Sequence, residues 1–281
     1  MTVSEFYKIL NEVAPKRISD DYCAAYDGYD NSGVLVDTGK AITSVVFSLD
    51  LSWDAIEKAK ELGANLIVTH HPAIYGKLSG LRVGGDPTEG KILNCIACGI
   101  SIISMHLNLD MVYGGIDERL AYGVMQSANA ACGVLETEEK LQTAVAGTRS
   151  TMWKVDGGGY GRAYPIAETT LASLVKNINA EFKTERTLYY GDGEKTIKRA
   201  ASFCGAGGDY ECAAFAKAQG ADVIISSDFK HHVVTYALEL GLCVIGITHY
   251  AAENYGFKKY YEKICQQVNV PCVWHVDEIL L

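Results

Sequence analysis

The sequence predicts an α/β fold built as two related lobes, and three observations lead there. Short apolar strands alternate with helix-like segments, the alternation occurs twice with matching residues, and glycines stand where the helices should stop. SVVFSLDLSWDAIEKAKELGANLIVTHH (44–71) aligns with AASFCGAGGDYECAAFAKAQGADVIISSD (200–228). Each is a strand, a turn, an Ala-rich helix ending AKELGA or AKAQGA, and a second strand, with Gly63 and Gly220 at the helix stops. ILNCIACGISIISMHLNLD (92–110) pairs in the same way with TYALELGLCVIGITHYAAE (235–253). The strands are apolar throughout, as parallel strands covered on both faces are.

Taken in order, MTVSEFYKILNEV reads as an amphipathic helix with no basic leader, so neither a signal peptide nor a membrane span is expected. The first α/β lobe is placed at 1–125. A middle segment follows at 126–196, with Gly157 to Gly159 and Gly161 as a turn or flexible loop. After Pro165, AETTLASLVKNI (167–178) is expected as a helix, with Leu171, Leu174, Val175 and Ile178 on its apolar face. The second α/β lobe is placed at 197–281.

Composition narrows the function. The chain has 281 residues, 48% of them hydrophobic, enough for a real core, and a net charge of -9 that argues against a nucleic-acid surface. A basic patch around Lys195, Lys198 and Arg199 is the exception to that charge. Nine cysteines are an odd, scattered set that does not form a secreted disulfide framework. The single CxxC, Cys95 to Cys98, lacks the second pair a zinc ribbon needs and reads as buried small residues on a helix. A cytoplasmic protein without a membrane segment is expected.

The chemistry gathers at strand ends, where open α/β sheets bind ligands. His70 and His71 follow NLIVT; His106 precedes Asp110 by four residues, and His249 precedes Glu253 by four. A lone histidine near a strand end is more often a hydrogen-bonded core residue than a ligand, but recurrence after duplicated strands favours metal binding. Imidazole and carboxylate together suit Zn, Mn, Fe or Co. Six ligands exceed what one zinc needs, whereas two divalent metal ions sharing a carboxylate use them all. Adjacent histidines point in different directions, so each can serve a different ion. His231 and His232 are read as lining the site or as plain surface residues, and His275 is given no role. CGAGGDYE (204–211) is either a strand-to-helix turn or a phosphate cradle, and Tyr75 and Tyr250 are candidates for stacking on a ring.

The order DNSGVLVD (30–37), SLDLSWDAI (48–56), VTHHPAIY (68–75), HLNLDMVYGGIDERLA (106–121), GYGRAYPI (159–166), CGAGGDY (204–210) and THYAAENYG (248–256) resembles the Nif-three-like family of dinuclear metal-binding proteins, often labelled GTP cyclohydrolase I type 2 homologues. The resemblance covers nearly the whole chain. It implies two α/β lobes with a metal cleft between them, a toroidal homohexamer, and His70, His71, His106, Asp110, His249 and Glu253 as ligands. Thr248 and Ala252 depart from the glycine and hydroxyl residue common in the family, which removes a side-chain hydroxyl that can orient a ligand.

The function expected is a metal-dependent hydrolase acting on a small molecule, with a nucleotide as the candidate. Asp110 is the expected bridging ligand and Glu253 the second carboxylate at the reacting centre; two ions would present hydroxide at neutral pH. A metal-binding regulatory or scaffold protein without turnover is the alternative.

Overall fold

The duplication seen in the sequence is a duplication of sheet topology. A computed structural model describes residues 1–78, 80–134, 136–148 and 151–281. The first sheet holds β1 (Gly33–Val36), β2 (Val45–Ser48), β3 (Leu66–Thr69), β4 (Ser101–Ser104) and, from the far end of the chain, β11 (Cys272–Trp274). Its strand order is β1-β4-β3-β2-β11. The second sheet holds β5 (Thr151–Val155), β6 (Gly158–Thr170), β7 (Leu188–Tyr190), β8 (Thr196–Ser202), β9 (Val223–Ser226) and β10 (Cys243–Gly246), in the order β5-β6-β8-β9-β10-β7.

Each sheet contains the same four-strand core. β2, β3 and β4 run parallel in chain order, as do β8, β9 and β10. An antiparallel strand that precedes them in the chain, β1 or β7, pairs with the third member. The repeat is therefore one strand longer than the residue match that begins at 44 and 200. β2, β3, β4 and β9 are buried at every position, as strands covered on both faces must be.

Local signals set the helix limits. Ser52 accepts from the Ala55 N–H at 3.0 Å, Asp86 from the Thr88 and Glu89 N–H groups, and Asp209 from the Cys212 N–H at 2.8 Å. Gly63 and Gly220 take φ of 62° and 70°, the left-handed conformation that ends a helix and is easiest for glycine.

The chain divides into two compact units, 1–112 with 257–279, and 113–256 with 280–281. These limits differ from 1–125, 126–196 and 197–281. The segment 126–196 supplies β5, β6 and β7 to the second sheet, and β11 returns to pair with β2 in parallel. Neither is visible as periodicity, because register with a distant strand leaves no local pattern. The expected glycine loop is also different: only the turn at 156–157 is loop, and Gly159 and Gly161 lie within β6. A Cβ at Gly159 would stand 2.5 Å from Thr151 Oγ1, so this glycine serves strand contact. Of the helix expected at 167–178, residues 167–170 instead end β6; the helix begins at Leu171, capped by Thr170, and buries Leu171, Leu174, Val175 and Ile178 as expected.

Within the second unit a buried ion cluster ties helix Ile116–Ala131 to β6. The Arg162 side chain is fully buried; Nε donates to Asp117 Oδ2 at 2.7 Å and Nη1 to Glu118 Oε1 at 3.0 Å. Asp117 Oδ1 also accepts from the Gly161 and Cys204 N–H groups, and Glu118 Oε2 accepts from the Gly114 N–H. Charges are tolerated in such a place only when each is paired and hydrogen-bonded. Among the described residues no helix is long and apolar enough to cross a membrane.

Candidate metal centre

β3 ends at Thr69, and the backbone then turns so that both the His70 and His71 N–H groups donate to the Leu49 carbonyl, at 3.1 and 3.0 Å. Thr69 Oγ1 and Ser104 Oγ hold the His71 carbonyl from the other side. This frame splays the two rings: their centroids are 4.9 Å apart with planes at 49°. His70 is fully buried and directs Nε2 toward Asp110 Oδ1 at 3.4 Å, whereas His71 turns to Asp50.

β4 delivers the next group. His106 stands two residues beyond it and opens the short helix Leu107–Met111, which places Asp110 one turn on, 5% exposed. Ligand atoms of His70, His106 and Asp110 all lie within 4.8 Å of one another, a spacing that one metal ion can bridge. The His71 ring is 5.9 Å from that of His106.

In the second unit His249 stands three residues beyond β10, one later than its counterpart in the first, at the start of helix His249–Cys265. Its Nε2 is 2.9 Å from Oε2 of Glu253, which is 3% exposed. Gly205 makes room for this pair: at φ 56° it brings backbone so close that a Cβ would sit 2.4 Å from Glu253 Oε1. The duplication is unequal here, because the positions after β9 matching His70 and His71 are Ser227 and Asp228.

All four histidines share one arrangement. Nδ1 of each meets an oxygen: His70 the Met105 carbonyl at 2.8 Å, His71 Asp50 at 2.7 Å, His106 Asp30 at 2.8 Å and His249 Asp228 at 2.6 Å. A carbonyl or an ionised carboxylate only accepts, so Nδ1 carries a proton, and Nε2 is the ring atom that can turn to a metal. Burial disfavours charge on Asp30, but the His106 hydrogen bond, its positive charge and the Ser32 hydroxyl outweigh that and hold the carboxyl far below its usual range. Burial likewise works against a charged His106, yet the Asp30 bond and the Asp110 and Asp30 charges raise it above the usual imidazole value.

Asp30, Asp50 and Asp228 are the functional residues that sequence reasoning missed. Asp30 and Asp50 lie in DNSG and SLDLS, and Asp228 closes VIISSD, but nothing in their spacing links them to a histidine 76, 21 or 21 residues away.

Other candidates resolve differently. His231 and His232 are exposed at the start of helix His231–Glu239, with the His232 ring 5.4 Å from Tyr210. His275 Nε2 pairs with Asp277 at 3.1 Å. The helix N-terminus after CGAGGDYE already holds the Asp209 carboxylate, and the Cβ positions of Gly207 and Gly208 are taken by Tyr160 and Phe229. The glycines there serve close packing, and the phosphate-cradle alternative falls away. Tyr250 is buried at 5% exposure, so of the two tyrosines only Tyr75 presents its ring. Lys195 and Arg199 donate to the Gly241 and Gln219 carbonyls, and Lys198 pairs with Glu168. Cys95 is buried, and burial pushes its thiol up to about 12, but Cys98 is exposed, so only one of the pair is the buried small residue expected.

Parallel α/β sheets that end in histidines with fixed tautomers beside buried carboxylates define a class of protein equipped to hold metal ions. The chain belongs to the Duf34/NIF3 (NGG1p interacting factor 3) family, whose profile matches residues 1–278. It is 29% identical over 272 residues to a GTP cyclohydrolase 1 type 2 homolog of Clostridium perfringens, covering 96% of this chain and 93% of the relative. It is 27% identical over 280 residues to one of Methanocaldococcus jannaschii, with 97% and 98% coverage. Its fold matches a Bacillus cereus protein related to NIF3 at a TM-score of 0.76 and 18% identity, over 98% of this chain and 96% of the other.

Proposed function

We propose that His70, His71, His106, Asp110, His249 and Glu253 together hold two divalent metal ions, drawn from Zn, Mn, Fe or Co, and that the protein is a metal-dependent hydrolase of a small molecule. The observation that carries this is the shared use of Nδ1. All four rings spend that atom on an oxygen and keep Nε2, whereas core histidines serving only packing have no reason to agree. When bound, two ions supply a hydroxide at neutral pH and polarise the bond to be cut. The chain's own part is orientation. Asp30, Asp50 and Asp228 fix three rings, the Met105 carbonyl fixes the fourth, and Asp110 is assigned the shared ligand because its carboxylate faces both His70 and His106.

The names of the relatives support a nucleotide as substrate class, with GTP ring opening as the first reaction to assay. A cytoplasmic closed homohexamer is proposed with it, on the family resemblance. The test is substrate depletion in a metabolite mixture, run with metal-reconstituted and with chelator-stripped protein. Depletion by the first alone is expected. Full metal content with no depletion, and a large loss of thermal stability on chelation, would replace the hydrolase with a metal-bound scaffold.

A further inference from the structure

Two tyrosines stand beside the first unit's histidines with their rings in water. Tyr75 is 65% exposed and Tyr29 53% exposed, although both are large amphipathic rings. Their centroids are 5.4 Å apart with planes at 89°, and Tyr75 is in turn 6.3 Å from the His106 ring, again edge to face at 85°. Tyr29 thus braces one side of Tyr75 and His106 meets another.

The loop that carries Tyr75 is tied down. Asn31 Nδ2 donates to the Ile74 carbonyl at 2.6 Å, and the same short stretch supplies Asp30 to the His106 Nδ1. One segment, 29–31, therefore fixes a ligand ring, anchors the loop and presents Tyr29. Exposed aromatics scattered singly need no explanation, but a braced pair against a candidate metal ligand is a wall for something that displaces water from it.

We propose that Tyr75, supported by Tyr29, is an aromatic subsite of the metal centre and selects ligands in which a planar ring is joined directly to the metal-binding group. This rests on the metal reading above and adds the ligand's shape to it. Tyr75 adjoins His106 with no residue between their rings, so the metal-binding donor and the ring can be separated by only a bond or two. An aliphatic ligand of the same donor chemistry gains nothing from Tyr75.

A matched pair of probes tests this on the zinc-reconstituted full chain by calorimetry. Benzohydroxamate and acetohydroxamate carry the same metal-binding group and differ in ring against methyl. The wild type should bind benzohydroxamate about tenfold more tightly, in the range aromatic contacts support. Tyr75→Ala should erase that preference and leave acetohydroxamate binding unchanged, Tyr75→Phe should keep it, and Tyr29→Ala should reduce it. Because Tyr75 is mostly in solvent, its replacement leaves the core untouched. Equal affinities in the wild type, or a preference that survives Tyr75→Ala, would overturn the subsite while leaving the metal site standing. Failure of both probes to bind zinc-loaded protein would overturn the subsite alone, whereas a chain that takes up no zinc would overturn the metal reading, and the subsite with it.

Discussion

Asp110→Asn is expected to leave the chain with at most one of the two proposed metal ions after purification. The carboxylate is 5% exposed and faces His70 Nε2 at 3.4 Å, in the triangle it forms with His106. Replacing it with an amide removes a negative charge that offsets two cations and an oxygen they can share, so their repulsion is less compensated. Glu253→Gln should act differently. Glu253 pairs with His249 in the second unit, and the His70, His106 and Asp110 set of the first unit is left complete. That variant should keep close to one ion per chain. Metal content measured by mass spectrometry on identically prepared proteins separates the two. Two tightly held ions in Asp110→Asn would show that Asp110 is not the shared ligand.

Arg162→Met is expected to destabilise the second unit by about 3–5 kcal/mol, the cost of removing one partner from a buried ion cluster. Asp117 and Glu118 would be left inside with backbone N–H donors and without the guanidinium that pairs them. The consequence reaches the candidate site, because Asp117 also holds the Cys204 N–H, and the next residue, Gly205, lies against Glu253. Chemical denaturation checks the magnitude. A loss below about 1 kcal/mol would mean that the cluster behaves as an ordinary surface pair does.

Strand and helix identity were legible in the sequence because each element announces itself locally. NLIV and DVII are continuous apolar runs, Ser52 and Asp209 cap their helices, and Gly63 and Gly220 end them. Of the six candidate ligands, His106 with Asp110 and His249 with Glu253 stood out because a histidine and a carboxylate four residues apart follow duplicated strands, whereas His70 and His71 stood out only as an adjacent pair at a strand end, with Ser227 and Asp228 at the matching positions. What escaped was long-range. β11 joins the first sheet from 227 positions beyond its partner β2, Cys272 opposite Val45, and no periodicity reports such a pairing. The three carboxylates on the histidine rings escaped for the same reason: Asp30 reaches His106 across 76 positions, and a lone Asp in a turn has many other uses. The glycines 159 and 161 misled because their role is set by neighbours on other strands, Thr151 and Phe203, which local composition cannot name.

Four histidines are proposed to keep Nε2 for metal while Nδ1 is spent on protein oxygens. Anomalous diffraction from crystals grown with zinc or cobalt tests it at the atoms themselves. Two peaks are predicted, about 2.0–2.2 Å from Nε2 of the histidines and from the Asp110 and Glu253 oxygens, with Asp30, Asp50 and Asp228 still on the Nδ1 atoms. Peaks bound through Nδ1, or metal held elsewhere while His70, His106 and Asp110 stay unligated, would contradict it.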